Sequence, residues 1–214
     1  CSSHAVHNAL TSAGAQRALV AHPGLPANRR TLDKAESRRI VGAAEDAFLL
    51  ACAGRFCVEA SLETAIHVTE ALPYHTRLIV SGQGELEGRL RTEARERVTV
   101  TTEPFSQQAA LAAADIALVP STVAGFSMTA IEAMLAGTPV AMRRSGGLTD
   151  IAEEARTGFY FETDEELLDL LGHLCHKREL LREVGRAARQ RALEAFDIAR
   201  TAGEYAAAYQ RALG

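Results

Sequence analysis

The sequence predicts an α/β protein built on a doubly wound, Rossmann-like parallel sheet. Three observations carry this expectation. Short apolar runs recur along the chain, and most lead into a stretch whose apolar residues follow helical spacing. Several runs close in turns that contain Gly or Pro, where a strand would leave a sheet. The chain has 214 residues, 47% hydrophobic and 23% charged, which suits one large domain able to bury its own core.

The elements follow in chain order. "SSHAVHNALTSAG" (2–14) reads as a helix with a Ser cap and a Gly stop, and "RALVAHPGLP" (17–26) as the entry into the domain. "AFLLACAG" (47–54) is a strand closed by Gly, and "EASLETAIHVTEAL" (59–72) is a helix with Leu62, Ile66 and Leu72 on one face. "TRLIVSGQG" (76–84) is a strand running into a Gly-rich turn, followed by the charged helix "ELEGRLRTEARER" (85–97). "VTVTT" (98–102) and "DIALVPS" (115–121) are strands on either side of the small-residue helix "SQQAALAAA" (106–114). A helix starting at Ser127 ends at Gly137, the natural C′ residue, and Pro139 prevents its continuation into the next strand. Beyond "TGFYF" (157–161), three helical runs cover 164–176, 178–196 and 198–213. About six strands are expected from this alternation, with Val119 and Val140 on buried ones.

Bulk properties exclude several function classes. A net charge of −4 argues against nucleic-acid binding through bulk charge. No apolar run approaches the roughly 20 residues of a membrane span, and no signal peptide is visible. Cys1, Cys52, Cys57 and Cys175 form no C-x-x-C pair and fit reduced, packed thiols. A cytoplasmic location, peripheral to the inner membrane at most, is the expectation. The start at Cys1 hints at a fragment or a processed chain.

In such a fold, ligands gather at the carboxyl ends of the strands, so the loops there matter most. The specific stretch is "VPSTVAGFSMTAIEAMLAGTPV" (119–140). With Ser127 as N-cap, the free N–H groups of Met128, Thr129 and Ala130 would face the cleft as an anion site suited to a diphosphate. Glu132 lies about 7 Å further along the axis, on the same face as Thr129. A carboxylate there can accept two hydrogen bonds from a cis-diol such as ribose. Most helical Glu side chains are simply solvated, so spacing alone does not decide this. The Gly-x-Gly at 82–84 is by itself more often just a tight turn.

"PSTVAGFSMTAIEAMLAGTPV…SGGLTDI…TGFYF" closely resembles the signature of group 1 retaining glycosyltransferases with the GT-B fold. Supporting pattern comes from "GRFCVEAS" (54–61), "LIVSGQGELEGRL" (78–90) and "FDIARTAGEYAAAYQRAL" (196–213). The likeness implies the donor-nucleotide half of a two-domain sugar transferase. It implies a nucleotide-diphosphate sugar as donor substrate, with no separate cofactor and no metal. A sugar or lipid-linked acceptor would be met through an N-terminal half absent from this chain. By the same resemblance Glu132 would hold the ribose. Arg55 and the helix start Gly125, Phe126, Ser127, Met128 and Thr129 would hold the diphosphate. The backbone of Thr102 to Phe105 would meet the base.

Two departures stand inside that motif. The family pairs two glutamates eight positions apart; the second falls on Glu132 and the first on Ala124. The family lysine facing the donor phosphates falls on Ala60, followed by Ser61. No catalytic residue is therefore assigned. A degenerate module that keeps nucleotide binding, or only the fold, is the alternative to an active transferase. Arg143 and Arg144 are candidates for a replacement cation, although a solvated surface role is commoner for such a pair. None of the seven histidines shows metal-ligand spacing; His173 and His176 are three apart on a helix but have no third ligand near in sequence. Asp150, after the Gly-Gly-Leu-Thr turn, reads as a helix cap.

Overall fold

The computed structural model describes residues 1–44, 46–103 and 106–213. Its centre is a six-stranded sheet. The strands are β1 (Phe48–Arg55), β2 (Thr76–Gln83), β3 (Val98–Thr101), β4 (Ile116–Val119), β5 (Val140–Arg143) and β6 (Phe159–Phe161). Every neighbouring pair is parallel, in the order β3-β2-β1-β4-β5-β6. This is the doubly wound order, with its switch point between β1 and β4. Five strands lie in the alternating stretch where the sheet was expected; the sixth is the short Phe159–Phe161.

Burial on both faces explains why the strands read as continuous apolar runs. In β1, Phe48, Leu50 and Cys52 point into one core, and Leu49 and Ala51 into the other. Helices α3 (Leu62–Ala71), α4 (Glu87–Glu93) and α7 (Asp164–Leu174) cover the first core through Ile66, Leu90 and Leu171. Helices α5 (Ser106–Ala113) and α6 (Met128–Leu135) cover the second through Leu111, Ile131 and Met134. Val119 and Val140 are both buried. Helix α8 (Arg178–Ala195) serves both cores, with Leu181 and Val184 in one and Ala188 and Ala192 in the other. Gly185 of α8 lies against α6, since a Cβ there would stand 2.1 Å from the Gly137 carbonyl oxygen. Helix α9 (Ile198–Leu213) follows, and Leu25 pairs with its approach at Asp197.

Local chemistry sets the helix ends. Helix α1 (His4–Ser12) starts at the Ser3 cap, whose hydroxyl accepts from the Val6 amide. Helix α6 starts at the Ser127 cap and ends in a Schellman motif: Gly137 N–H donates to Met134 and Thr138 N–H to Ala133. Three boundaries differ from expectation. The charged helix is the shorter Glu87–Glu93, because its C-terminal charges lie in a turn. Residues Val58–Ala60 form a 3₁₀ turn ahead of α3. A helix unexpected from the sequence, α2 (Lys34–Ile40), begins at an Asp33 cap. Asp115 anchors α2: this buried carboxylate meets Lys34 Nζ at 2.9 Å and Arg38 Nη1 at 3.4 Å, and accepts from the Leu49 amide at 3.0 Å. All four cysteines are free, and burial pushes the Cys52 thiol far above its ordinary range, which keeps it protonated.

Candidate functional site

At the switch point, the carboxyl ends of β1 and β4 part and leave a cavity of about 190 Å³. Arg55 and Ala60 line one wall, Pro120 and Ser121 another, and Ser127 and Thr129 at the start of α6 a third. The loop between β4 and α6 is held at four points. Arg143 Nε donates to the Pro120 carbonyl at 3.0 Å, and Ser145 Oγ to Ser121 at 2.7 Å. Thr122 N–H donates to Glu59 at 3.0 Å and Gly147 N–H to Ala124 at 2.8 Å. Such bracing presets the first turn of α6 toward the cavity.

The sequence-derived residues divide into three groups. Ser127 is the N-cap as expected, but its hydroxyl accepts from the Ala130 amide at 3.2 Å. The anion site therefore comes down to the first-turn amides of Met128 and Thr129, which have no helical acceptor. Arg55 stands exposed at the rim, and among the described residues nothing accepts from its guanidinium. Phe126 turns away: its ring lies 5.6 Å from that of His22 and 5.7 Å from that of Phe196, a packing role. Gly125 is likewise structural, its carbonyl closely covered by Gly147, where a Cβ would stand 1.9 Å away.

Glu132 does not line this cavity. It faces an adjoining groove with Arg29, Thr31 and Gln108. Its Oε1 is 3.0 Å from Arg29 Nη1, and its Oε2 accepts from Gln107 Nε2 at 3.1 Å. The lone carboxylate is thus paired by groups that no local pattern around position 132 announces. The Gly-rich turn after β2 is also spent on packing. A Cβ at Gly82 would come within 1.7 Å of the Gly54 carbonyl, and one at Gly84 within 2.3 Å of that of Phe56. Of the segment assigned to the base, Thr102 and Glu103 are described, whereas Pro104 and Phe105 lie outside the described residues.

Neither Arg143 nor Arg144 is a spare cation, and Arg144 is exposed, as a solvated surface role expects. Arg143 is largely buried, with Nη1 and Nη2 at 2.6 Å from the Glu162 carbonyl and from Asp164 Oδ1. Arg144 lies over the Tyr160 ring and pairs with Glu154 at 2.8 Å. Both are tied to structure. Asp150 starts no helix of its own, since it ends the turn Gly146–Asp150; its Oδ2 instead accepts from the His4 amide, the first of α1, at 2.7 Å. The rings of His4 and His22 also reach that oxygen, each at 3.1 Å. Burial alone would raise the Asp150 pKa, but these bonds to His4 and His22 outweigh it and hold the carboxyl below its ordinary value. The sequence pattern missed this cluster because its members stand at positions 4, 22 and 150.

The sheet order and the cavity at its switch point define a doubly wound, Rossmann-like α/β protein. Residues 33–191 match the model of the family described as glycosyl transferases group 1, and the chain belongs to that family, with the Rossmann-like fold of one half of a GT-B architecture. The chain is 38% identical over 109 residues to the "MMP alpha-(1->4)-mannosyltransferase" of Mycolicibacterium hassiacum, covering 49% of this chain and 26% of that protein. It is 32% identical over 169 residues to the "D-inositol 3-phosphate glycosyltransferase" of Actinosynnema mirum, covering 70% of this chain and 40% of that protein. Among solved structures, Anabaena Alr3699/HepE in complex with UDP-glucose superposes with a TM-score of 0.89 at 21% identity, over 99% of this chain and 63% of that one. The chain thus spans less than two thirds of each. No helix among the described residues is long and apolar enough to cross a membrane.

Proposed function

We propose that this chain is the donor-binding half of a retaining glycosyltransferase and takes a nucleotide-diphosphate sugar. The observation that carries this reading is the cavity at the β1–β4 switch point, faced by the open first turn of α6, in a chain of this family. The diphosphate would meet the Met128 and Thr129 amides and the Arg55 guanidinium, where a helix start and a cation both favour negative charge. The ribose diol would meet Glu132 after Arg29 swings off the carboxylate. The base would lie toward Thr102 and Glu103, beside Gln107 at the start of α5. The acceptor would come from a second, N-terminal half.

Titration calorimetry of the chain with UDP-, GDP- and ADP-sugars tests this. Saturable binding of at least one is expected, weakened by Arg55→Ala. If none binds, or if Arg55→Ala binds as the wild type does, the assignment fails.

A second reading rests on Ala60 and Ala124. Ala60 lines the cavity where the family's lysine would stand, and no other cation reaches into it except Arg55 at the rim, among the described residues. A module that binds nucleotide sugar without transferring it fits that wall. Turnover by the protein carrying its N-terminal half separates the two.

A further inference from the structure

His4, His22 and Asp150 each offer a metal-ligand atom, and these atoms lie within 4.8 Å of one another. We propose that they form a binding site for a divalent transition metal of the zinc class, separate from the nucleotide cavity. The donor set is two imidazoles and one carboxylate, a common zinc complement that leaves a further position for water.

Two of the three donor separations suit one ion as they stand, and the third, between the ring nitrogens, lies within 4.8 Å, which a small turn of the exposed His4 ring closes. An ion about 2.1 Å from each donor atom holds cis ligands about 3.0–3.4 Å apart. His4 Nδ1 and His22 Nε2 each stand 3.1 Å from Asp150 Oδ2. Crowding at that oxygen points the same way. It meets the His4 amide at 2.7 Å and the two ring nitrogens at 3.1 Å, three nitrogens against about two lone pairs. With a metal bound, the ring nitrogens turn their lone pairs to the ion and carry their protons on the opposite ring atoms. The Asp150 oxygen then serves the amide and the ion.

The ligands are also preset. The His22 ring packs against both Phe126 and Phe196, with centroids at 5.6 and 5.9 Å, and Thr201 Oγ1 donates to its carbonyl at 2.8 Å. Arg191 donates to the Asp150 main-chain carbonyl at 3.1 Å, which fixes that end of the turn. His4 is the open side, its side chain 67% exposed, so an ion can enter from solvent. A bound ion would join α1, the segment after it and the turn at Gly146–Asp150, three pieces of chain that otherwise meet only through hydrogen bonds and packing.

The test is titration of the 214-residue chain with Zn²⁺ and with Co²⁺, beside His4→Gln, His22→Gln, Asp150→Asn and the control His173→Gln. One saturable site is expected, with a cobalt spectrum free of thiolate charge transfer and a melting temperature that rises with zinc. His4→Gln and His22→Gln should each weaken it by more than the roughly 10–100-fold that loss of a mere supporting partner costs. His173→Gln should bind as the wild type does. His4 is exposed, so its variant keeps the test valid even if Asp150→Asn, which removes the carboxylate that caps α1, fails to fold. Absence of a saturable site, binding retained in His4→Gln and His22→Gln, or a thiolate spectrum from a cysteine site would each overturn the proposal.

Discussion

Arg29 Nη1 stands 3.0 Å from Glu132 Oε1, so the carboxylate proposed for the ribose is already engaged by a side chain of its own chain. Both side chains are partly exposed, which limits such a pair to about 0.2–1 kcal/mol. A diol that takes over the carboxylate must displace this pair. Arg29→Ala should therefore tighten nucleotide binding, by about 1.5- to 5-fold when that energy is converted to affinity. Glu132→Ala should weaken it by roughly 1.5–3 kcal/mol, the range for a hydrogen bond to a charged group. Calorimetry on both variants reads the two signs. Weaker binding by Arg29→Ala would instead make Arg29 a ligand contact.

Ser61 carries a second prediction. It sits at φ 50°, ψ 44°, at the joint between the 3₁₀ turn and α3. A side chain in that left-handed region costs about 1–2 kcal/mol, whereas glycine adopts it freely. Ser61→Gly should stabilise the fold by about 0.5–1 kcal/mol after glycine's own entropy is set against the relief. For a chain of this size that raises the melting temperature by roughly 1–4 °C. An unchanged or lower melting temperature would mean that the Ser61 hydroxyl, 3.4 Å from the Val58 carbonyl and 3.5 Å from Thr122 Oγ1, outweighs the strain.

What could be read from the sequence was what local pattern controls. Strands β1, β2 and β4 were legible because burial on both faces writes them as unbroken apolar runs. The cap at Ser127 and the stop at Gly137 were legible because each depends on residues within one or two turns. Helix α2 was missed because "KAESRRI" is short and mostly polar, and its place is fixed by Asp115, far along the chain. Asp33 followed three residues later by Glu36 was the overlooked signal. The Arg29–Glu132 pair, the Arg143 tether and the Asp150 cluster were illegible for the same reason. Each joins residues that only the tertiary fold brings together.

Asp150 predicts a pH dependence. Its carboxyl is held below its ordinary value in the folded chain, although burial pushes the other way, because His4 and His22 bond to the ionised form. A group whose folded pKa is depressed stabilises the fold above its unfolded value of about 3.9. That contribution is lost as pH falls from there through the lower folded value. Urea unfolding of the wild type should lose stability over this acid window, and Asp150→Asn should lose less of it. Parallel curves for the two proteins would remove Asp150 from the account of acid sensitivity.

The last prediction concerns the cavity wall at Ala60. When a glycosidic bond to a diphosphate breaks, negative charge grows on the leaving group. A cation aimed there acts mainly in the transition state, and loss of one such preorganised group costs about 10²–10³-fold in rate. Ala60 lines the cavity beside Arg55 and Thr129, so a lysine side chain at 60 has open space to enter. Arg143 cannot replace it, because its three guanidinium nitrogens are spent on Pro120, Glu162 and Asp164. Joined to an N-terminal acceptor half, the chain should therefore transfer sugar slowly or not at all from ordinary donors. Ala60→Lys combined with Ala124→Glu should raise turnover by about 10²-fold or more if the rest of the scaffold is intact. Ala124 is partly buried and its carbonyl accepts from Gly147, so the double variant needs a folding check by melting temperature before its rate is read. Turnover by the unmodified protein at about 1 s⁻¹ or faster would refute the degenerate reading. Arg55 would then be the one cation left at the cavity among the described residues, and Arg55→Ala should abolish that rate.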